Sequence, residues 1–111
     1  MAAQESSEGS WRWSGEIPAE RFRAPIEMFW RGLGYEVAWS GSDLRGHREL
    51  DGQRREVAVT LRAAPGGGAE VLCRVRFIGS PPSRRPNEVY RPDELTRMLE
   101  SALARGFGPP G

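Results

Sequence analysis

With 111 residues, the chain is long enough for one hydrophobic core but too short for two, so a single domain is expected. Its composition, 38% hydrophobic and 28% charged, is ordinary for a globular protein and argues against disorder throughout. A formal net charge of +1 excludes the strong global field with which many proteins bind nucleic acids or membrane surfaces. Every basic residue is an arginine, whose planar guanidinium group suits carboxylate and phosphate ligands.

Cysteine content and hydropathy predict the compartment. The one cysteine, Cys73, excludes a disulfide within the chain and suits a reducing environment. No stretch reaches the roughly 18 apolar residues of a membrane span, and the N-terminus lacks the basic and apolar regions of a secretory signal. A cytoplasmic protein without a membrane span is therefore expected.

The N-terminal region divides into a tail and a first strand. Residues 1–10 are small, polar and acidic, and this composition predicts a disordered tail. Residues 11–17 alternate and predict a short strand with Trp11 and Trp13 on one side. We expect both tryptophans to cover the core, because buried aromatic side chains are the commoner case. An exposed pair that stacks on bases or binds a peptide is the alternative.

A helix is predicted from the spacing of the next apolar residues. They form one helical stripe: Phe22, Ile26, Phe29, Trp30 and Leu33. Pro25 would break a continuous helix, so the main helix is expected at 24–33 with Pro25 in its first turn. Gly34 then suits the left-handed position that follows a helix, with Tyr35 folding back on Trp30.

Two further strands are indicated before the middle of the chain. Residues 35–39 alternate and predict a strand that leaves the helix. Residues 44–50 are polar enough to be either strand or loop. The following Asp51–Gly52 is a strong two-residue hairpin signal. If that turn forms, 44–50 is expected to be an edge strand paired with the start of a strand at 53–62.

The central stretch 56–80 predicts a β-hairpin that the rest of the chain covers. Apolar and polar residues alternate on both sides of the proline- and glycine-containing segment 63–69, which cannot continue a strand. We expect Val59, Leu61, Cys73 and Val75 to be buried against the helices. A slip of one residue would bury the arginines of the opposite face.

The C-terminal region predicts a loop, a second helix and a tail. Residues 79–91 contain several prolines and arginines and indicate a linker or surface loop. Pro92 and the acidic residues after it suit the first turn of a helix that Gly106 ends. Residues 107–111 are expected to be a disordered tail, which leaves 11–106 as the domain.

The predicted fold is α+β: a small antiparallel sheet of three to five strands with two helices packed on one face. The elements follow in the order strand, helix, strands, helix, which is a two-layer sandwich.

No catalytic, metal or cofactor site is expected, so the sequence predicts a non-enzymatic protein. The triple glycine 66–68 is not a phosphate-binding loop, because no Gly-Lys-Ser/Thr follows it. Cys73 shares the apolar side of its strand and is expected to be a small hydrophobic residue rather than a nucleophile. Asp43, His47, Glu49 and Asp51 lie within nine residues, but their spacing matches no known ligand motif and favours a solvated segment.

The candidate binding residues lie on the far side of the hairpin and in the loop that follows it: Arg62, Leu72, Arg74, Arg76, Arg84 and Arg85. Guanidinium groups interleaved with apolar side chains suit a protein partner, or a second copy of the chain. The alternative function is binding of nucleic acid or another anionic surface by the same residues. The competing interpretation is a solvated face whose arginines pair with Glu56 and Glu70.

Overall fold

The computed structural model describes residues 4–80 and 90–111. Its elements in chain order are β1 Gln4–Trp13, a 3₁₀ helix Ala19–Phe22, α1 Arg23–Gly32, β2 Glu36–Ser40, β3 Asp43–Leu50, β4 Gln53–Ala63, β5 Ala69–Ile78 and α2 Pro92–Phe107. In the described residues, neither helix combines the length and the apolar composition needed to cross a membrane.

Five strands of the described residues form one antiparallel sheet in the order β1-β5-β4-β3-β2. Neighbouring strands pair in a single register, with Val57 opposite Val75 and Leu44 opposite Val59. The predicted α+β class, with an antiparallel sheet and two helices, is therefore confirmed.

The central hairpin has the predicted register. Val59, Leu61, Cys73 and Val75 are buried, and the polar residues between them point away from the helices. The connection is short and is closed by a hydrogen bond from Ala64 N to Gly68 O. One face of the sheet is thus committed to the core along the whole length of β4 and β5.

The predicted start of the first helix near Pro25 and its predicted end before Gly34 are also confirmed. Pro25 lies in the first turn of α1, where its missing N–H leaves no gap in the hydrogen-bond ladder. Gly34 has φ of 88°, and Tyr35 N donates to Trp30 O at 3.1 Å. The rings of Trp30 and Tyr35 meet edge to face, 5.1 Å between centroids.

The two helices do not cover the sheet as predicted. The helix α2 lies against β1 and β5, whereas α1 contacts the edge strand β2 and the side of α2. The 3₁₀ helix lies over β4 and β5, where Phe22 is completely buried. Because this turn already occupies the middle of the sheet, α1 is displaced towards β2.

The N-terminal tail prediction is wrong for the described residues from Gln4 onward. Gln4–Ser10 pairs with β5 and forms most of β1, which ends at Trp13 rather than at residue 17. Ser7 Oγ lies 3.2 Å from Thr96 Oγ1 of α2, so small polar side chains fit beneath the helix. Composition predicts disorder because this stretch has few apolar groups, but the ladder to β5 supplies the missing interactions.

The C-terminal tail prediction is wrong as well. The helix α2 continues through Gly106 to Phe107, whose ring stacks on Phe22 with 3.9 Å between centroids. Beyond it, Trp13 Nε1 donates to Gly108 O at 2.7 Å, and Gly111 N donates to Arg12 O at 2.9 Å. The end of the chain is therefore fixed to β1.

The segment 44–50 is a strand, but it is not an edge strand as expected. β3 pairs with β4 on one side and with β2 on the other. Asp51 and Gly52 have φ of 49° and 83°, which confirms the two-residue turn with positive φ at both positions. Gly46 is buried in the middle of β3, facing the helices.

We expect Val75→Asp to unfold the protein and Leu72→Asp to leave it folded. Val75 is fully buried, so an aspartate there is a charge without a partner, which costs several kcal/mol against a total stability of about 5–15 kcal/mol. Leu72, on the same strand but the opposite face, is exposed. Thermal unfolding followed by circular dichroism checks both variants, and loss of the fold in Leu72→Asp would contradict the register.

Gly46→Ala is expected to destabilise the protein by about 1–3 kcal/mol, because the added methyl overlaps Val37 Cγ1 and crowds Val57 Cγ1. Gly32→Ala is the matched control. Gly32 is helical with open space around its Cα, so alanine there should raise stability by up to about 1 kcal/mol. Urea unfolding of the two variants measures both changes, and equal effects would refute close packing at Gly46.

Candidate functional site: the outer face of the sheet

The side of the sheet that points away from the helices, termed the outer face, consists of the even-numbered residues of β1, β2, β4 and β5 and the odd-numbered residues of β3. A row of paired residues crosses all five strands at its middle: Glu8, Arg74, Ala58, Arg45 and Ala38. The two alanines of this row, Ala58 and Ala38, flank Arg45 and leave space on both sides of its side chain.

Two shallow depressions lie on either side of this row, each of about 360 Å³. Arg45, Ala58 and Arg74 line both of them. The first is completed by charged groups such as Glu56 and Arg76. The second has a less charged wall that includes Leu72.

Most charges on the outer face are paired within the chain. Arg76 Nη2 donates to Glu56 Oε1 at 2.6 Å, and Arg54 Nε donates to Glu56 Oε2 at 3.1 Å. Hydrogen bonds from Arg76 and Arg54 hold the pKa of Glu56 below its ordinary value. Arg74 Nε donates to Glu8 Oε1 across the β1–β5 ladder at 2.8 Å. These contacts neutralise the guanidinium groups locally and leave them weakly available to a partner.

The structure places four of the predicted binding residues on one face of the sheet, with Arg62 and Arg76 near opposite ends of the β4–β5 ladder. Arg62, Leu72, Arg74 and Arg76 all lie on the outer face, as the register predicts. Glu56 pairs with Arg76 as expected, and Glu70 lies 4.0 Å from a different arginine of the same face, Arg12. Arg84 and Arg85 lie outside the described residues. That any of these residues binds a partner stays a prediction.

Arg45 lies beside the middle of the outer face, on the strand next to the central β4, and the sequence analysis did not single it out. It lies between Ala38 and Ala58 in the sheet, is exposed, and forms no ion pair or hydrogen bond with the described residues. Arg62 is likewise exposed and unpaired among them. The alternation of residues 44–50 places Arg45 on one side of a strand. Only the pairing of β3 with β4 determines that this side faces outward.

The acidic and histidine residues at 43–51 are spread out rather than clustered. Asp43, His47 and Glu49 are spread along the outer face, and Asp51 lies in the turn. Thr60 Oγ1 donates to Asp43 at 2.7 Å, and His47 Nε2 lies 3.4 Å from Glu36. No group of three or more potential metal-ligating side chains exists in residues 4–80 and 90–111.

Both tryptophans of β1 face the helices, as expected. Trp13 is buried, and Trp11 is partly buried with its Nε1 donating to Glu100 Oε1 at 2.7 Å. They are therefore not available on the outer face as a stacking platform.

A buried arginine was missed by the sequence analysis. Arg55 lies on the core side of β4, where Nε donates to Gln53 Oε1 at 3.1 Å and the guanidinium lies over the ring of Phe77. Burial lowers its pKa, and the neighbouring Tyr35 opposes that shift. Burial likewise raises the pKa of Tyr35. Extending the alternation of β4 to the next inward position, towards the N-terminus, places Arg55 on the core side. Arg55 therefore supports the core and is not part of the outer face.

Cys73 should make stability fall at alkaline pH. Burial raises the pKa of its thiol to about 12, so the folded chain keeps a proton that the unfolded chain releases near 9.0. The free energy of unfolding should therefore decrease as pH rises between these two values. Urea unfolding at pH about 8 and about 10 measures the slope. Cys73→Ala should reduce it, and an unchanged slope would contradict the assignment.

Among the residues that the structure describes, the outer face thus combines a largely paired set of charges with two unpaired arginines and an exposed leucine. Comparison of the chain with models of known protein families finds no match, and comparison with the sequences of curated proteins finds none either.

Proposed function

We propose that the chain is a non-enzymatic, cytoplasmic interaction module whose outer face binds an acidic segment of a protein partner. The observation that carries this proposal is the position of Arg45. Its guanidinium is exposed on β3, beside the central strand of an open five-stranded face, and forms no ion pair among the described residues. A carboxylate of a partner can take both parallel N–H donors of one arginine, which gives orientation as well as affinity.

The surroundings of Arg45 favour a peptide or protein segment that carries an apolar residue beside its carboxylate. The second depression offers the side chains of Leu72 and Ala58 on the same face as the guanidinium. Apolar contact and arginine together are typical of the central part of protein interfaces. Arg62, unpaired near the end of β4, is a second point for an acidic group.

Nucleic acid is the less favoured ligand. The outer face carries six arginines and six carboxylates, so it is nearly neutral as a whole: Arg12, Arg45, Arg54, Arg62, Arg74 and Arg76 against Glu8, Glu36, Asp43, Glu49, Glu56 and Glu70. Binding to a phosphate backbone depends on releasing counterions at several unpaired cations. Acidic groups beside the arginines repel a continuous phosphate chain, whereas a protein segment can place a single carboxylate on Arg45 and set basic or neutral groups against the acidic ones.

The test is quantitative affinity capture from the host lysate with the wild-type chain, Arg45→Glu and Arg105→Glu as baits. Arg105 is an exposed arginine on α2, away from the outer face, and serves as the matched control. The wild type and Arg105→Glu should both retain a specific partner. With Arg45→Glu the amount of captured partner should fall by at least about tenfold, as expected when a buried interfacial charge pair loses one member.

Further measurements separate protein from nucleic acid. Capture should survive nuclease treatment, and the purified chain should not bind single- or double-stranded RNA or DNA at low salt. Capture that Arg45→Glu leaves unchanged, or that nuclease abolishes, would contradict the proposal.

A further inference from the structure

The strand β1 forms one edge of the sheet, and half of its backbone groups point away from β5. Arg12 O accepts from Gly111 N, so the peptide groups of Arg12 point outward. In an antiparallel ladder the N–H and C=O of one residue point to the same side and alternate along the strand. The outward groups of β1 therefore belong to Gln4, Ser6, Glu8 and Ser10 as well.

The two edges of the sheet are protected to different degrees. At the opposite edge, β2 has only five residues, and Arg31 Nη2 donates to Val37 O at 3.1 Å. A short edge strand covered by a side chain discourages pairing with another strand. The edge of β1 has ten residues without proline, and among the described residues only its Arg12 end is covered, by Gly111.

We propose that this edge pairs with the same edge of a second copy, so that two chains form one continuous antiparallel sheet about a two-fold axis at Ser7. In this register, Gln4 lies opposite Ser10 of the second copy, and Ser6 lies opposite Glu8. Pairing about Ser7 uses the outward groups of the described residues from Gln4 to Ser10 and stops before Arg12, whose carbonyl Gly111 occupies. Mutual pairing forms about eight backbone hydrogen bonds.

Side-chain charges agree with this register. Glu8 pairs with Arg74, and Glu5 lies 3.8 Å from Arg91, so both acidic groups of the strand are compensated within their own chain. Moving the two-fold axis by one residue towards Glu8 would place the two Glu8 side chains directly opposite each other, which is unfavourable. It would also bring the second copy against Arg12, whose carbonyl is occupied.

This interface is distinct from the outer face. The two-fold axis is perpendicular to the sheet, so both copies keep their helices on the same side, and the two outer faces become one surface. Arg45 lies on β3, three strands away from β1, and takes no part in the pairing.

The test measures the molecular mass of the wild-type chain in solution and the exchange rates of its backbone amides. Sedimentation equilibrium at submillimolar concentration should give twice the 12.4 kDa mass of the chain. The amides of Ser6, Glu8 and Ser10 should exchange more slowly as the concentration rises. The amides of Ser7 and Gly9 point towards β5 and should be protected at every concentration. A monomer, or a dimer in which the first group exchanges freely, would overturn the proposal.

Ser6→Pro removes one N–H that points outward, so no hydrogen bond to β5 is lost. Proline is tolerated at such a position, on the solvent side of an edge strand. We expect a monomer with the melting temperature of the dissociated wild type. Ser6→Ala, which keeps the N–H, should remain a dimer. If Ser6→Pro fails to fold, the amide exchange of the wild type decides. If Arg45→Glu dissociates the dimer and Ser6→Pro does not, the dimer forms through the outer face and this pairing is refuted.

Discussion

The ladder between β4 and β5 fixes which side of each strand meets the helices, and every other strand takes its register from it. Val59 and Cys73 lie opposite each other on the core side, so Thr60, Leu72 and Arg74 lie on the outer side. Shifting the ladder by one residue would exchange the two sets and bury guanidinium groups in an apolar layer. The cost of that exchange makes the outer face, and with it the position of Arg45, a consequence of core burial.

Aromatic side chains from distant parts of the chain close the core above this sheet. Phe22 stacks on Phe107, and its ring centroid lies 5.3 Å from that of Trp13. The contact joins the end of β1, the 3₁₀ helix and the end of α2, and Trp13 adds a hydrogen bond to Gly108. This arrangement holds β1 at the edge of the sheet and displaces α1 towards β2. It therefore determines which edge remains open to a second strand.

The arginines of β4 and β5, together with Arg45 of β3, occupy three different environments, and the environment decides the role of each. Arg55 is buried over Phe77 and supports the core. Arg74 and Arg76 are paired with glutamates of neighbouring strands, so their charges are largely used within the chain. Arg45 and Arg62 are exposed and unpaired among the described residues, so they retain the capacity to bind a carboxylate. The proposed interaction depends on the last environment alone.

The sequence by itself determined the elements whose signals are local. Alternation predicted the central hairpin and its buried side, Asp51–Gly52 predicted the turn, and Pro25 with Gly34 predicted where α1 starts and ends. Only the tertiary structure decided what depends on contacts between distant residues. The polar stretch Gln4–Ser10 is a strand because β5 pairs with it, and Gly108–Gly111 is fixed because Trp13 and Arg12 bond to it. Arg45 lies inside the outer face, beside its central strand, because β3 pairs with strands on both sides, and no local pattern specifies those two neighbours.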